Sequence, residues 1–208
     1  MNPTHSKSEL LYVHIRRSLL SGRYLPGQRI DPATIAGEHS TSPTPVRFAL
    51  YRLVGEGLVA DHARAGLHVP LPTELTLRDL YDWMQRLLQM ACRMGATARR
   101  NGKPDSLARC DDPVKRTRHL FDAIAQGAGH RSLHEGVKRA NDRLTPIRHA
   151  KQGLIEDPHE ELSRLAGLWH ERDVPGLEAA IHEYHARRQE LVPRIVALLN
   201  ERREEFPQ

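Results

Sequence analysis

Cysteine is almost missing from this chain: two residues, Cys92 and Cys110, in 208, with no CxxC pairing. That excludes a disulfide framework and a structural zinc site of the thiolate kind, and it fits a reducing compartment with buried or idle thiols. Long apolar runs are missing too. No stretch approaches the roughly 20 residues needed to span a bilayer, and Met1 to Leu20 lacks the uninterrupted apolar core of a signal peptide. A cytoplasmic protein that does not engage membranes is expected. There is no Gly-rich phosphate loop, no GxSxG elbow and no paired carboxylates with an obvious pocket, so no enzyme is expected. Asp111-Asp112 reads instead as a helix cap. Internal repeats and low-complexity tracts are absent, and aromatic residues are few, 5% of the chain.

What is present suits a globular protein of one large domain or two small ones, 39% hydrophobic and 27% charged. The formal net charge of +5 fits a polyanionic partner without demanding one. Residues 1–74 hold 8 Lys/Arg against 6 Asp/Glu, and residues 75–208 hold 23 against 20, so charge alone singles out neither half.

The informative stretch is Ser42-Pro43-Thr44-Pro45-Val46-Arg47-Phe48-Ala49-Leu50. Ser42 is suited to cap a helix, and Pro43 at the first helical position gives up an N–H that has no intrahelical partner anyway. Val46, Leu50, Leu53 and Val54 then form one apolar stripe, leaving Arg47, Tyr51 and Arg52 off it. A helix start offering hydroxyls, free N–H groups and an arginine suits duplex phosphates and base edges. Upstream, Asp31-Pro32 opens a short helix carrying Ile35 and Ala36, which His39-Ser40-Thr41 interrupts, so the two make a helix-turn-helix. Downstream, Gly57 closes the second helix. Leu58, Ala60, Leu67 and Val69 then alternate on either side of His62-Ala63-Arg64-Ala65-Gly66, the pattern of a hairpin with a five-residue loop. That hairpin is a wing, with Arg64 at its tip aimed at a minor groove.

These pieces resemble a known family. Leu19 through Gly27, Ile35-Ala36, Ser42 to Leu50 and Glu56-Gly57-Leu58-Val59 look like the DNA-binding domain of GntR-family bacterial transcription regulators over the first third of the chain. The resemblance implies DNA contacts from Ser42, Thr44, Arg47 and Arg64, with Pro45, Arg52 and Gly66 completing the expected interface. One departure is visible: the family usually carries an arginine directly after the capping residue, and here that residue is Pro43.

The remainder reads as helix. A first helix spans Leu10 to Ser21, and Pro70-Leu71-Pro72-Thr73 is a stiff linker. Thr76 with Asp79 suggests a capping box for a helix reaching about Arg100, with Leu77, Leu80, Tyr81, Met84, Leu87, Leu88, Ala91 and Met94 inward. A short turn at 105–110 precedes a helix from Asp112-Pro113, and another runs from Arg131 to about Lys151 with a kink at Pro146. Further helices start at Asp157-Pro158 and Asp173, the last kinked near Pro193 with Leu198 inward. The fold class expected is mainly α: a winged helix-turn-helix at 1–70, a linker at 71–75, an all-helical bundle at 76–203 and a polar tail at 204–208.

The second half is similar to the helical effector-binding and dimerisation (FCD-type) domain of the FadR-like group. In that group an Asp, a His four residues later and two further His hold a divalent metal, on which a small carboxylate sits. The matching positions here are Thr117, Phe121, Leu162 and Tyr184, none of them an imidazole or carboxylate. The arginine and glutamate often found on the first helix match Met84 and Leu88, and His130 stands where the group usually has Asn. The resemblance thus implies an effector pocket lined by Met84, Leu88, Thr117, Phe121, His130, Leu162 and Tyr184. It would have no metal or other cofactor and would take an uncharged, acyl or aromatic effector. Against this stand the 13 histidines, with His182 and His185 one helical turn apart where a metal could bridge them. The function expected is a homodimeric transcription regulator, a repressor, bound to a palindromic operator in double-stranded DNA and controlled by a small-molecule effector. Two alternatives stay open: a DNA-binding protein whose second domain only dimerises, and a His-rich helical metalloprotein.

Overall fold

The computed structural model describes residues 7–95 and 111–204. The chain divides into two compact units, one reaching to Pro72 and taking in the chain from Ala197 onward, the other Thr73–Val196. The first unit contains α1 (Lys7–Leu20), α2 (Pro32–Glu38), α3 (Pro43–Gly55), β1 (Ala60–His62) and β2 (Gly66–His68). The second contains α4 (Glu74–Gly95), α5 (Pro113–Gly127), α6 (Arg131–Ala150), α7 (Pro158–Glu171) and α8 (Val174–Glu190). A last helix, α9 (Val192–Glu204), begins in the second unit and ends in the stretch grouped with the first. The fold is a winged helix-turn-helix followed by a helical bundle.

In the first unit, Leu11, Ile15 and Leu19 of α1 bury one stripe with Val46, Ala49, Leu50 and Leu53 of α3. Ile30, Ile35, Leu58, Leu67 and Val69 complete this core, and removing such apolar surface from water is what holds three short helices together. Asp31 caps α2 as expected, accepting from the Ala33 and Thr34 N–H groups. The hairpin is tighter than a five-residue loop. His62 pairs with Gly66, so only residues 63–65 connect the strands, and Gly66 takes the left-handed φ of +70° that closes such a turn. The 27–30 segment pairs with the outer edge of β2 through Ile30 N–H to Leu67 O, 2.8 Å, and Val69 N–H to Gln28 O, 2.9 Å, which fixes the wing to the core.

In the second unit α4 packs against α5, α6 and α8, and α7 packs on α5 and α8. Its inward face is Leu77, Leu80, Tyr81, Met84, Leu87, Leu88 and Ala91, but Met94 is 38% exposed and lies off it. The box that starts α4 is one turn earlier than Thr76 and Asp79. Thr73 Oγ1 accepts from the Thr76 N–H at 3.2 Å while the Thr73 N–H reaches Thr76 Oγ1 at 2.9 Å. Asp112 and Asp173 cap α5 and α8 through their carboxylates, whereas Asp157, at φ +48°, makes no such bond to α7. α6 runs through Pro146. In place of a single helix kinked near Pro193 the chain forms two, α8 and α9, divided at Leu191. Proline has no N–H for the Gln189 carbonyl, which instead accepts from Arg78 Nη1 at 2.8 Å, while Gln189 Nε2 donates to Arg78 O at 2.9 Å. On α9 it is Leu199, not Leu198, that is buried. The expected end of the first bundle helix near Arg100 and the turn at 105–110 lie outside the described residues.

Candidate nucleic-acid interface and bundle cavity

The apolar stripe of α3 faces the core, so Thr44, Arg47, Phe48 and Tyr51, at i, i+3, i+4 and i+7, share the opposite face and are exposed. Phe48 is 67% and Tyr51 53% exposed, an apolar surface on a solvent-facing helix that the apolar stripe did not predict. Ser42 does not cap: α3 has no side-chain cap bond. A cap oxygen needs the N–H of the second or third helical residue, and Pro45 at the third has none. Thr44 therefore keeps a first-turn N–H beside its hydroxyl for an outside acceptor. Arg64 is exposed in the three-residue wing turn, and Gly66 gives that turn its conformation. Arg52 has a different environment. Its Nη1 meets Glu9 Oε2 at 2.6 Å, its Nε stands 3.9 Å from Glu56 Oε1, and its guanidinium lies 3.8 Å over the Tyr12 ring. Tyr12 in turn donates to Glu56 at 2.8 Å, so Arg52 helps fasten α3 to α1.

An open pocket of about 240 Å³ lies between α5, α6, α7 and α8. Thr117 and Tyr184 line it together with Val114, Ile155 and Pro158. Phe121 lies beside Tyr184 in an edge-to-face pair, 5.2 Å between centroids, while Met84, Leu88 and Leu162 are buried core residues that do not line it. His130 is exposed and caps α6, its Nδ1 accepting from the Leu133 N–H. The accessible lining of the pocket is mainly apolar. Arg148, Lys151 and Arg188 also line it, and all three are buried. Arg188 pairs with both oxygens of Glu161, at 2.9 and 2.6 Å, and its guanidinium lies 3.2 Å over the Tyr184 ring. Arg148 Nη1 donates to Asn141 Oδ1 at 2.6 Å, and Lys151 Nζ to Tyr81 Oη at 3.1 Å. Burial, then the positive charges of Arg188 and Arg148, hold the Lys151 ammonium well below the usual lysine range. These cations came from positions that looked like the polar side of their helices. The only hint was that Arg148, Lys151 and Arg188 each follow a buried side chain by four residues, Leu144, Ile147 and Tyr184 in turn.

His182 and His185 do not face each other's partners. His182 is exposed and meets Gln85 Nε2 at 3.1 Å, while His185 is buried, bonded to Ile181 O at 2.8 Å and stacked on Phe121. Burial depresses the His185 pKa to about 3, with Arg188, Arg148 and Lys151 adding to the effect. Among the described residues no three His, Cys, Asp or Glu side chains gather as metal ligands, and no helix is long and apolar enough to cross a membrane.

Residues 7–69 match the family described as bacterial regulatory proteins, gntR family. Residues 7–69 form a gntR-family domain. Over 75 residues the chain is 36% identical to the Nta operon transcriptional regulator of Aminobacter aminovorans, a match covering 36% of each chain, so it spans about a third of that regulator's length. Solved structures extend the likeness in fold. A protein of Rhodococcus sp. RHA1 assigned as a transcriptional regulator GntR superposes over 90% of this chain and 97% of its own, with TM-score 0.75 and 16% identity. E. coli McbR/YncC superposes over the same shares with TM-score 0.69 and 19% identity. The whole chain, head and bundle together, thus has a fold already seen in these structures.

Proposed function

We propose that the protein is a transcription regulator, a repressor, that binds a palindromic DNA operator as a homodimer and releases it when an effector occupies the bundle, which acts as an FCD-type domain. The observation that carries this reading is the exposed row Thr44, Arg47, Phe48 and Tyr51 on α3 within a gntR-family domain. Two copies set α3 in successive major grooves about one helical turn apart. Arg47 and the Phe48 ring read base edges, the Thr44 N–H and hydroxyl and Ser42 hold phosphates beside Pro45, and Arg64 reaches the flanking minor groove from the turn that Gly66 shapes. Arg52 contributes by holding α3 on α1 through Glu9 and Tyr12 rather than by touching DNA. Because Pro43 replaces the arginine usual after the capping residue, the operator core differs from the family's common one. The effector shifts the dimer between two head spacings by binding one of them more tightly. No metal or other cofactor takes part, and the protein works in the cytoplasm.

Gel shifts and footprinting on the protein's own promoter region test this. Wild type protects a symmetric site, and Arg47→Ala, exposed and free of the core, weakens binding by about tenfold to hundredfold, the value of one base-reading arginine, without changing Tm. A wild type with no sequence preference sinks the proposal.

A further inference from the structure

Aromatic side chains are scarce in this protein, three Phe, five Tyr and two Trp, yet two of them stand together on the solvent side of α3. Phe48 and Tyr51 are both more than half exposed, three residues apart on the face that also carries Thr44 and Arg47. A lone exposed apolar residue needs no explanation, but two rings one turn apart on a short helix form a patch that water penalises. The core does not require them. Val46, Ala49, Leu50 and Leu53 on the other side of α3 are at most 2% exposed, and neither ring belongs to the apolar cluster they build. Polar side chains at 48 and 51 would serve folding as well, so the patch is fitted to something outside the chain.

The neighbours on that face narrow what it meets. Arg47 is exposed and makes no ion pair with any described residue, which suits a polyanion better than an apolar protein surface. From Thr44 to Tyr51 the helix rises roughly 10 Å, the length of about three base steps, and Phe48 lies midway along it. A guanidinium reads guanine through O6 and N7. A phenyl ring has neither donor nor acceptor, so the hydrogen-bond pattern of a base edge is closed to it. The apolar group that the major groove displays is the C5 methyl of thymine. We infer that Phe48 is a specificity residue that packs on the C5 methyl of one thymine in each operator half-site, beside a base pair contacted by Arg47, with Tyr51 shielding that contact from water. The inference rests on reading the protein as a DNA-binding regulator, and it adds the base that the aromatic face selects.

Deoxyuridine pairs as thymidine does but lacks the methyl, so it isolates the contact. In the site that the full chain protects, each thymine of one half-site is replaced in turn and affinity is read by fluorescence anisotropy. Wild type loses about fourfold at one position, the effect of giving up contact with one methyl group. Phe48→Ala keeps the wild-type Tm, binds the thymine site more weakly and no longer distinguishes thymine from uracil there. Changing that pair to C·G weakens wild-type binding, and 5-methylcytosine recovers part of the loss because the methyl returns to the same place in the groove. A wild type indifferent to every uracil, or a uracil effect that persists in Phe48→Ala, overturns the inference and leaves the regulatory reading standing. So does a Phe48→Ala that keeps its DNA preference but loses self-association, which assigns the ring to a second copy of the chain. A wild type that protects no site removes the regulatory reading itself, and the thymine contact with it.

Discussion

The gntR-family head and the helical bundle treat charge in opposite ways. On the head, Arg47 and Arg64 stand in solvent and make no ion pair with any described residue, so their choice of partner stays open at little cost to folding. In the bundle, α6 and α8 carry Arg148, Lys151, His185 and Arg188 into the interior, where each unmatched group weighs against stability. A surface arginine is a tool held ready for an external polyanion. A buried one is committed to the partners that packing brings to it, as Arg188 is to Glu161.

The contrast can be broken at its hydrophobic support first. Phe121 is fully buried between Tyr184, His185 and Arg148, so Phe121→Ala should cost about 3–5 kcal/mol, read by urea denaturation. Acid is the next lever. His185 takes up its proton near pH 6.5 when unfolded but only at about 3 when folded. Between those values the unfolded chain binds more protons, so stability is complete above about 6.5 and drains away as pH falls toward 3. The loss is on the order of a few kcal/mol. His185→Phe, which keeps the ring stack, should flatten the urea midpoint between pH 7 and 5, and an unchanged slope would show that other groups dominate. On the head, Arg64→Ala should weaken binding to operator and unrelated DNA alike and reduce the salt slope by about one counterion, measured by fluorescence anisotropy over a salt series. The smallest effect is expected at Arg52. Its ion pairs are half exposed and screened by solvent, so Arg52→Ala should lose little stability and little of the salt slope. A drop in salt slope equal to that of Arg64→Ala would return Arg52 to the DNA interface.

Local chemistry was legible wherever the deciding atoms are neighbours in sequence. Asp31, Asp112 and Asp173 cap the helices they precede because a carboxylate needs only the next two or three N–H groups. The same rule misled at Ser42, where Pro45 removes one of those groups, and at Thr76, where the reciprocal partner is Thr73. The apolar faces of α3 and α4 followed from spacing, with Met94 the exception at a helix end. The buried cations beside the bundle pocket could not be read this way. Arg148, Lys151 and Arg188 look like the solvated side of ordinary amphipathic helices, and Thr117 and Tyr184 were placed in the pocket only by resemblance.

From the order of residues alone came the head: the turn chemistry, the stripe on α3 and the arginine behind Pro45, all set by contacts within a few residues. Tertiary structure decided which charges are buried. Helical periodicity gives a side chain its direction but not what another helix brings opposite it, and only the packing of α5, α6, α7 and α8 buried Arg148, Lys151 and Arg188 beside one pocket.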